Sequence, residues 1–299
     1  MVHETIVATK AVVTLDAALP GIVWGWIITM NMWAKSIGTG VIFLAFYLLK
    51  KHPVTTGFIR FPVVALSIVF IHIFLFFTVI DLHQIFRFWH IFFYPHLTSA
   101  IAVGAWMATA FVGLLFAMAF AIYMKKDEAL YDKLLSITVV LAVPVTIYTA
   151  GLMSQATARE LWQMPTEAAQ MILAALLAGS ATMILLGGKK FSDEVMRDLG
   201  IVLALAASAS FILYMSELIF GPMKAEEVIA VLAYVKGGEY TAMFWVGQFM
   251  AFLIPIALVC VTLKNKSYYM LKIAAVSALI GLWVSKHVWL VIPQLLPMS

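Results

Sequence analysis

Charged residues are scarce in this sequence. Only 11% of its 299 residues are Asp, Glu, Lys or Arg, whereas about 25% is usual in a soluble globular protein. Apolar residues make up 64%, and the mean hydropathy of +1.02 is spread along the whole length. This pattern excludes a water-soluble enzyme, a soluble domain with one anchor and a secretory precursor with one early apolar run. The sequence therefore predicts a protein whose solvent is the lipid bilayer.

Cysteine is almost absent, since Cys260 is the only one. A single cysteine excludes an internal disulfide, a Cys-rich zinc site and an iron–sulfur cluster held by this chain alone. A redox metal would therefore have to lie in a partner or on histidine, and our expectation for this chain as a whole is that it holds no metal.

Eight long apolar runs are present, each close to the roughly 20 residues that cross the hydrocarbon core as a helix. None alternates with the period of a barrel strand, so the spans should be helical. We predict an all-α, polytopic membrane protein with one membrane domain over 1–299. The predicted spans lie near 20–49, 61–82, 97–124, 133–154, 167–188, 198–220, 241–263 and 270–292.

Basic residues are distributed unevenly between the two sets of connections, which indicates an orientation. Of the 19 Lys and Arg residues, most lie in connections one, three, five and seven, and such residues are retained on the cytoplasmic side. Both termini should therefore face outward, toward the periplasm in a bacterium. The net charge of +4 reflects this orientation, and we expect no nucleic-acid partner.

The outer connection over 81–97 is rich in aromatic and imidazole side chains. It is too apolar for free solvent and too polar for lipid, so we interpret it as a segment that lies flat at the interface and covers something. An aromatic belt that only anchors the helices is the alternative.

Ionisable side chains inside spans are costly, so each is a site hypothesis. In the first span, Asn31, Lys35 and Thr39 are spaced by four residues and so share one helix face, which must point into the bundle. His72 lies about midway along the second span, where we expect a hydrogen-bonded packing residue rather than a ligand.

Polar groups concentrate in the outer third of six spans. Long charged side chains at helix ends can reach the membrane interface, but this explains short side chains such as Asp81 and Asn31 poorly. This arrangement favours a pocket for an amphiphilic molecule entering from lipid, with a quinone as the candidate. Carboxylates, Tyr, His and Lys there can donate hydrogen bonds or relay protons. The cluster comprises Asn31, Asp81, Tyr148, Glu217, Gln248, Lys286 and His287.

Haem would need two histidines facing each other across helices. Only His72 and His287 are well inside spans, at different depths, so we do not expect haem. His90 and His96 of the connection over 81–97 remain open as ligands, and a haem b anchor stays a lesser alternative.

Several short motifs occur in a fixed order along the chain. The first span carries a Trp-rich entry and a Gly-rich end, and the later motifs follow in order through Phe244-Trp245 and Pro255. The motifs are Trp24 to Gly40; Asp81, Arg87-Phe88-Trp89-His90, Thr98-Ser99 and Gly104-Ala105-Trp106; Tyr148 to Leu152; and Arg159 to Trp162. Their order resembles that of the family of NrfD and polysulfide-reductase membrane subunits.

The resemblance implies an eight-helix subunit that exchanges electrons between a membrane quinone, menaquinone or ubiquinone, and a ferredoxin-like iron–sulfur subunit on its outer face. A molybdopterin-type or other catalytic subunit would be attached to that partner, in the bacterial inner membrane. Asn31, Asp81 and Tyr148 correspond to positions near the quinone head, and Arg159 to the motif arginine. Asn31 and Lys35 depart from the family pattern, because Asn cannot titrate and many members are apolar at the lysine position.

The residues that we predict to act at the site are therefore Lys35, Asp81 and Tyr148 in proton chemistry, and Asn31, Trp26, Arg87, His90, Thr98, Arg159, Glu217 and Lys286 in binding. A transporter with Lys35, His72 and Lys286 along its path is the alternative from another class. Paired repeats would favour a transporter, and the sequence shows none that is convincing.

Overall fold

The computed structural model describes residues 21–82, 84–96, 98–188, 190–265 and 268–296. In these residues it is all-helical, and eight helices are long and apolar enough to cross a membrane. The predicted fold class and number of spans are confirmed. The helices are α1 (Trp26–Lys51), α2 (Arg60–Ile80), α3 (Ala100–Tyr123), α4 (Glu128–Met153), α5 (Met164–Gly187), α6 (Asp193–Phe220), α7 (Thr241–Asn265) and α8 (Tyr268–Val291).

Two helices begin five residues before the apolar run that predicted them. The Asp127 side chain accepts a hydrogen bond of 2.9 Å from the Leu130 amide and starts α4. Ser192 starts α6 in the same way, through the Val195 amide. Hydropathy locates the part of a helix that lies in lipid, whereas these helices begin at a polar cap one turn or more beyond it.

Helix α1 is the most buried of the eight and packs against α2, α4, α5 and α8. Its contact with α5 is made by backbone, because Gly40 lies against Ala175 and Gly179, and a methyl group on either glycine would overlap the other helix. Small residues allow such close approach, which replaces the hydrophobic driving force that lipid does not provide.

Helix α7 contains a wide turn of π type over Phe249–Leu253. Pro255 follows it, and proline has no amide hydrogen for the carbonyl four residues earlier. The wide turn accommodates this ring, while Gly281 of α8 packs directly on the backbone at Ala251.

The two described ends of the chain lie together. The Gln294 side chain accepts hydrogen bonds from the amides of Val23 and Trp24, at 3.0 and 2.9 Å. At the opposite end of the bundle, Arg60 pairs with Glu128 and Asp132. The side of the membrane that each end faces stays a prediction from the charge distribution.

Substitution of Gly40 tests the contact between α1 and α5. We expect Gly40→Ala to lower the free energy of unfolding in detergent by about 2 kcal/mol or more, because overpacking at a backbone contact forces the helices apart. Gly113→Ala on α3 is the control, since nothing lies within 4 Å of its added methyl group. Equal stability of the two variants would contradict the close approach.

Candidate functional site

A cavity of about 430 Å³ lies between α2, α3, α4 and the segment 84–96, here called the covering segment. Its lining is mainly apolar, with a few polar side chains. Ile101 and Thr109 line it and are also exposed on the outside of the bundle, so the cavity reaches the protein surface. The lining consists of Phe74, Leu75, Thr78, Val79, Leu82, Gln84, Arg87, Phe88, Ile91, Phe92, Ile101, Gly104, Ala105, Ala108, Thr109 and Tyr148.

Tyr148 of α4 forms part of this wall, and its ring lies against Gly104 of α3. A side chain at position 104 would overlap the ring, so the glycine sets where Tyr148 stands. The sequence motif contained Gly104, but its role became apparent only from the helix contact.

Lys35 lies directly behind this wall. Its Nζ is 5.4 Å from the centroid of the Tyr148 ring and 5.6 Å from that of the Phe74 ring. The amine donates a hydrogen bond to the Thr149 hydroxyl and is almost fully buried. The prediction that the face with Asn31, Lys35 and Thr39 points into the bundle is confirmed.

Asn31 is also one residue behind the wall. Its Nδ2 donates to the Thr78 hydroxyl at 2.6 Å and to the Phe74 carbonyl at 3.1 Å, and both residues line the cavity. Asn31 thus orients a lining hydroxyl through a short hydrogen bond.

Asp81 follows the last residue of α2 and lies in sequence between the lining residues Val79 and Leu82. Arg87 in the covering segment lines the cavity. The structure therefore brings Tyr148 and Arg87 to one cavity, places Asn31 and Lys35 behind it, and places Asp81 at the adjacent helix end.

Three other predicted site residues are not among the described lining residues. Trp26 is 56% exposed and packs edge-on against Phe77. Thr98 is exposed at the entry to α3. His90 lies in the covering segment, with its ring 4.0 Å from that of Trp89.

Arg159 lies in the connection between α4 and α5 and fastens the end of the chain. Its guanidinium donates to the carbonyls of Pro293 and Leu296, the latter at 2.8 Å. Burial lowers the pKa of Arg159, and the Glu227 carboxylate partly offsets this effect. Arg159 is therefore a buried clamp, apart from the lining described above.

Glu217 and Lys286 lie in the half of the molecule formed by α5 to α8. Glu217 pairs with Lys224 at 2.8 Å. Lys286 is buried near Glu167, whose Oε1 accepts a hydrogen bond of 3.0 Å from the Trp289 indole. Sequence reasoning missed Glu167, because an acidic residue in the first turn of a helix is an ordinary feature there.

The two histidines within spans, His72 and His287, are not among the residues that line the cavity. Nδ1 of His72 donates to the Ile68 carbonyl, and its exposed ring meets Phe116 edge-on. The His287 ring stacks on Trp283, and its Nδ1 is 2.9 Å from the Thr29 hydroxyl. Within the described ranges, no three His, Cys, Asp or Glu residues are grouped as metal ligands would be.

Comparison with known proteins adds two findings. The family model described as "Polysulphide reductase, NrfD" matches residues 15–297. A selenate reductase subunit of Mesobacillus selenatarsenatis is 27% identical over 161 residues, which cover 51% of this chain and 37% of that protein. The similarity thus spans well under half of the relative's length.

Replacement of Lys35 separates a structural role from a chemical one. We expect Lys35→Met to leave the free energy of unfolding unchanged or raise it by about 1 kcal/mol, because an apolar side chain of similar length avoids burying a polar amine. Lys264→Met, at an exposed position, is the control. A loss of about 3 kcal/mol in Lys35→Met alone would show instead that the amine holds α1 to α4.

Proposed function

Because the chain belongs to the NrfD polysulphide reductase family, we propose that it is the quinone-binding membrane subunit of a multi-subunit oxidoreductase. The observation that carries the proposal is the cavity between α2, α3 and α4, with Tyr148 in a mainly apolar wall. Its volume of about 430 Å³ falls within the range of roughly 300–1,000 Å³ that is usual for small-molecule sites.

The chemistry of the wall fits a quinone head group. A quinone has two carbonyl oxygens that need hydrogen-bond donors, and Tyr148 on α4 and Arg87 in the covering segment belong to different parts of the lining. The remaining surface is mostly apolar and reaches the outside of the bundle, as an isoprenoid tail in lipid requires. Menaquinone and ubiquinone share these features.

The electrons need an acceptor or donor outside this chain. Its single cysteine cannot hold a cluster, so we assign that role to an iron–sulfur subunit docked at the end of the bundle where the covering segment lies. A catalytic subunit, of molybdopterin or another type, would complete the complex. The name of the selenate reductase relative supports membership of a reductase complex, and the terminal substrate is a property of the other subunits.

Two substitutions, one on α4 and one on α3, test the binding site. We expect Tyr148→Phe to weaken binding of a quinol analogue by about three- to tenfold, which is the loss of one hydrogen bond. Gly104→Ala should weaken it at least as much, because the methyl group displaces the Tyr148 ring. Fluorescence titration of the purified complex measures both.

Matched controls are available on α3. Tyr123→Phe removes an exposed hydroxyl group at the end of α3 far from Gly104, and Gly113→Ala adds a methyl group in open space. Neither should change the affinity. Full affinity in both test variants, or no binding by the wild-type complex, would refute the proposed site.

We propose that both ends of the chain face the periplasm, in the inner membrane of a bacterium. In a Cys260→Ala background, a cysteine at exposed Glu239 should react with a membrane-impermeant maleimide in intact cells that lack the outer membrane. A cysteine at exposed Lys125 should react only after permeabilisation. The reverse labelling pattern would invert the orientation and place the cavity near the cytoplasmic face.

A further inference from the structure

A groove of about 350 Å³ lies between α6, α7 and α8, and it is here called the end groove. It lies at the end of the bundle opposite to the cavity between α2, α3 and α4. Helix α1 shows this, because Asn31 near its start bonds to residues that line the cavity, whereas Lys51 at its other end pairs with Asp198 in the first turns of α6. The end groove therefore lies where the helices enter the head-group region of the other leaflet.

The lining of the end groove changes in character along α6. Asp193 and Glu194 stand in the first turn of the helix, and Arg197 follows. Four residues separate Asp193 from Arg197, which is about 6 Å along the helix axis. All three side chains are exposed, and Ile201 lies one turn further in. From the helix start inward, the lining is thus acidic, then basic, then apolar.

Helices α7 and α8 supply the same gradient from polar to apolar. Tyr268 begins α8, and its hydroxyl donates to a backbone carbonyl at the start of α6 at 3.4 Å, while Leu271 one turn deeper is buried. On α7, Leu263 near the helix end is exposed and Val259 is buried. Gly200 lies against these deeper residues, since an added methyl group would be 3.2 Å from Leu271. The end groove therefore has a polar mouth, an apolar floor and an open side at Leu263.

The charges at the mouth are not neutralised by one another. In the part of the chain that the structure describes, Asp193, Glu194 and Arg197 form no ion pair. Their spacing of three and four residues on one helix would allow such pairs, and the adjacent Asp198 does pair with Lys51 at 2.8 Å. The mouth of the groove thus presents a negative site and a positive site that are separate.

We propose that the end groove binds a zwitterionic phospholipid with a primary amine in its head group, as in phosphatidylethanolamine. The phosphate accepts hydrogen bonds from the guanidinium of Arg197, which suits bidentate binding of phosphate. The ammonium group, two carbons further out, donates to Glu194 and Asp193, and an acyl chain runs inward past Ile201 and Leu263. Ammonium, phosphate and chain thus meet the acidic, basic and apolar parts of the lining in order.

The two carboxylates at the mouth select among phospholipids. They repel an anionic head group such as that of phosphatidylglycerol, which has no positive charge to offer. The quaternary ammonium of phosphatidylcholine is positive, but it has no N–H group to donate. Only the amine-bearing lipid supplies both charges and the hydrogen bonds. The inference does not depend on quinone binding, because the two sites lie at opposite ends of the bundle.

Native mass spectrometry of the purified, delipidated complex tests the site with three lipids that share their acyl chains. Phosphatidylethanolamine should bind about tenfold more tightly than phosphatidylcholine or phosphatidylglycerol, which is the effect of one hydrogen bond to a charged group. Arg197→Gln should weaken its binding about tenfold for the same reason, and Arg197→Lys should keep most of the affinity. Lys125→Gln, at an exposed position at the same end of the bundle, is the control and should change nothing.

A second substitution tests the role of the amine. Glu194→Gln removes one negative charge at the mouth, so binding of phosphatidylethanolamine should weaken and binding of phosphatidylglycerol should strengthen, until the two affinities differ by less than about threefold. Glu226→Gln, at an exposed position outside the groove, should keep the wild-type preference. Thermal unfolding gives an independent measure, because a ligand that binds only the folded state raises Tm. Phosphatidylethanolamine should raise the Tm of the wild-type complex more than that of Arg197→Gln.

The possible outcomes separate the proposal from its alternatives. Equal wild-type affinity for the three lipids, tighter binding of phosphatidylglycerol, or full affinity for phosphatidylethanolamine in Arg197→Gln would overturn it. Loss of affinity in Arg197→Gln, a narrowed preference in Glu194→Gln and unchanged controls support it. Both positions are exposed, so assembly should persist, and the mass of the complex in the same spectra verifies this.

Discussion

Hydrocarbon offers no hydrogen-bond partner, and this constraint decides where the polar groups of the molecule lie. Helix α1 is central because its polar face needs partners on several neighbours. Asn31 finds them on α2, and Lys35 finds Thr149 on α4. Tyr148 precedes Thr149 on α4, and its ring lies against α3, where only a glycine leaves room for it. The residues behind the cavity wall thus lie where polar side chains of α1 find hydrogen-bond partners inside the membrane.

Much of the fold could be predicted from the sequence, because the lipid thickness fixes helix length and a spacing of four residues fixes a helix face. The eight spans and the inward face of Lys35 follow from these two rules. The covering segment was also apparent, since its mixture of Arg, His and aromatic residues suits neither water nor lipid, and Arg87 does line the cavity.

The grouping of the site residues could not be predicted in the same way. Hydropathy gives the depth of a residue in the membrane, but it does not give the neighbour that the residue faces. Glu217 and Lys286 share a predicted depth with Tyr148, yet they lie on α6 and α8, in the other half of the molecule. Glu167 itself was hidden by its place in the first turn of α5, and the role of Gly104 depended on a contact between α3 and α4.

The wide turn in α7 fixes how the part of the helix before it is rotated about the helix axis relative to the part after it. Each residue of an α-helix advances the side-chain direction by about 100°, so the extra residue of the π turn rotates everything before it relative to everything after. Gln248 lies just before the turn and reaches Ser285 from there. A deletion of one residue within 249–253 would restore a uniform helix and swing the Gln248 amide away from α8, although the apolar length of α7 would hardly change. A change of length at this point would thus alter the direction of the side chains around the helix axis rather than the thickness of membrane that the helix spans.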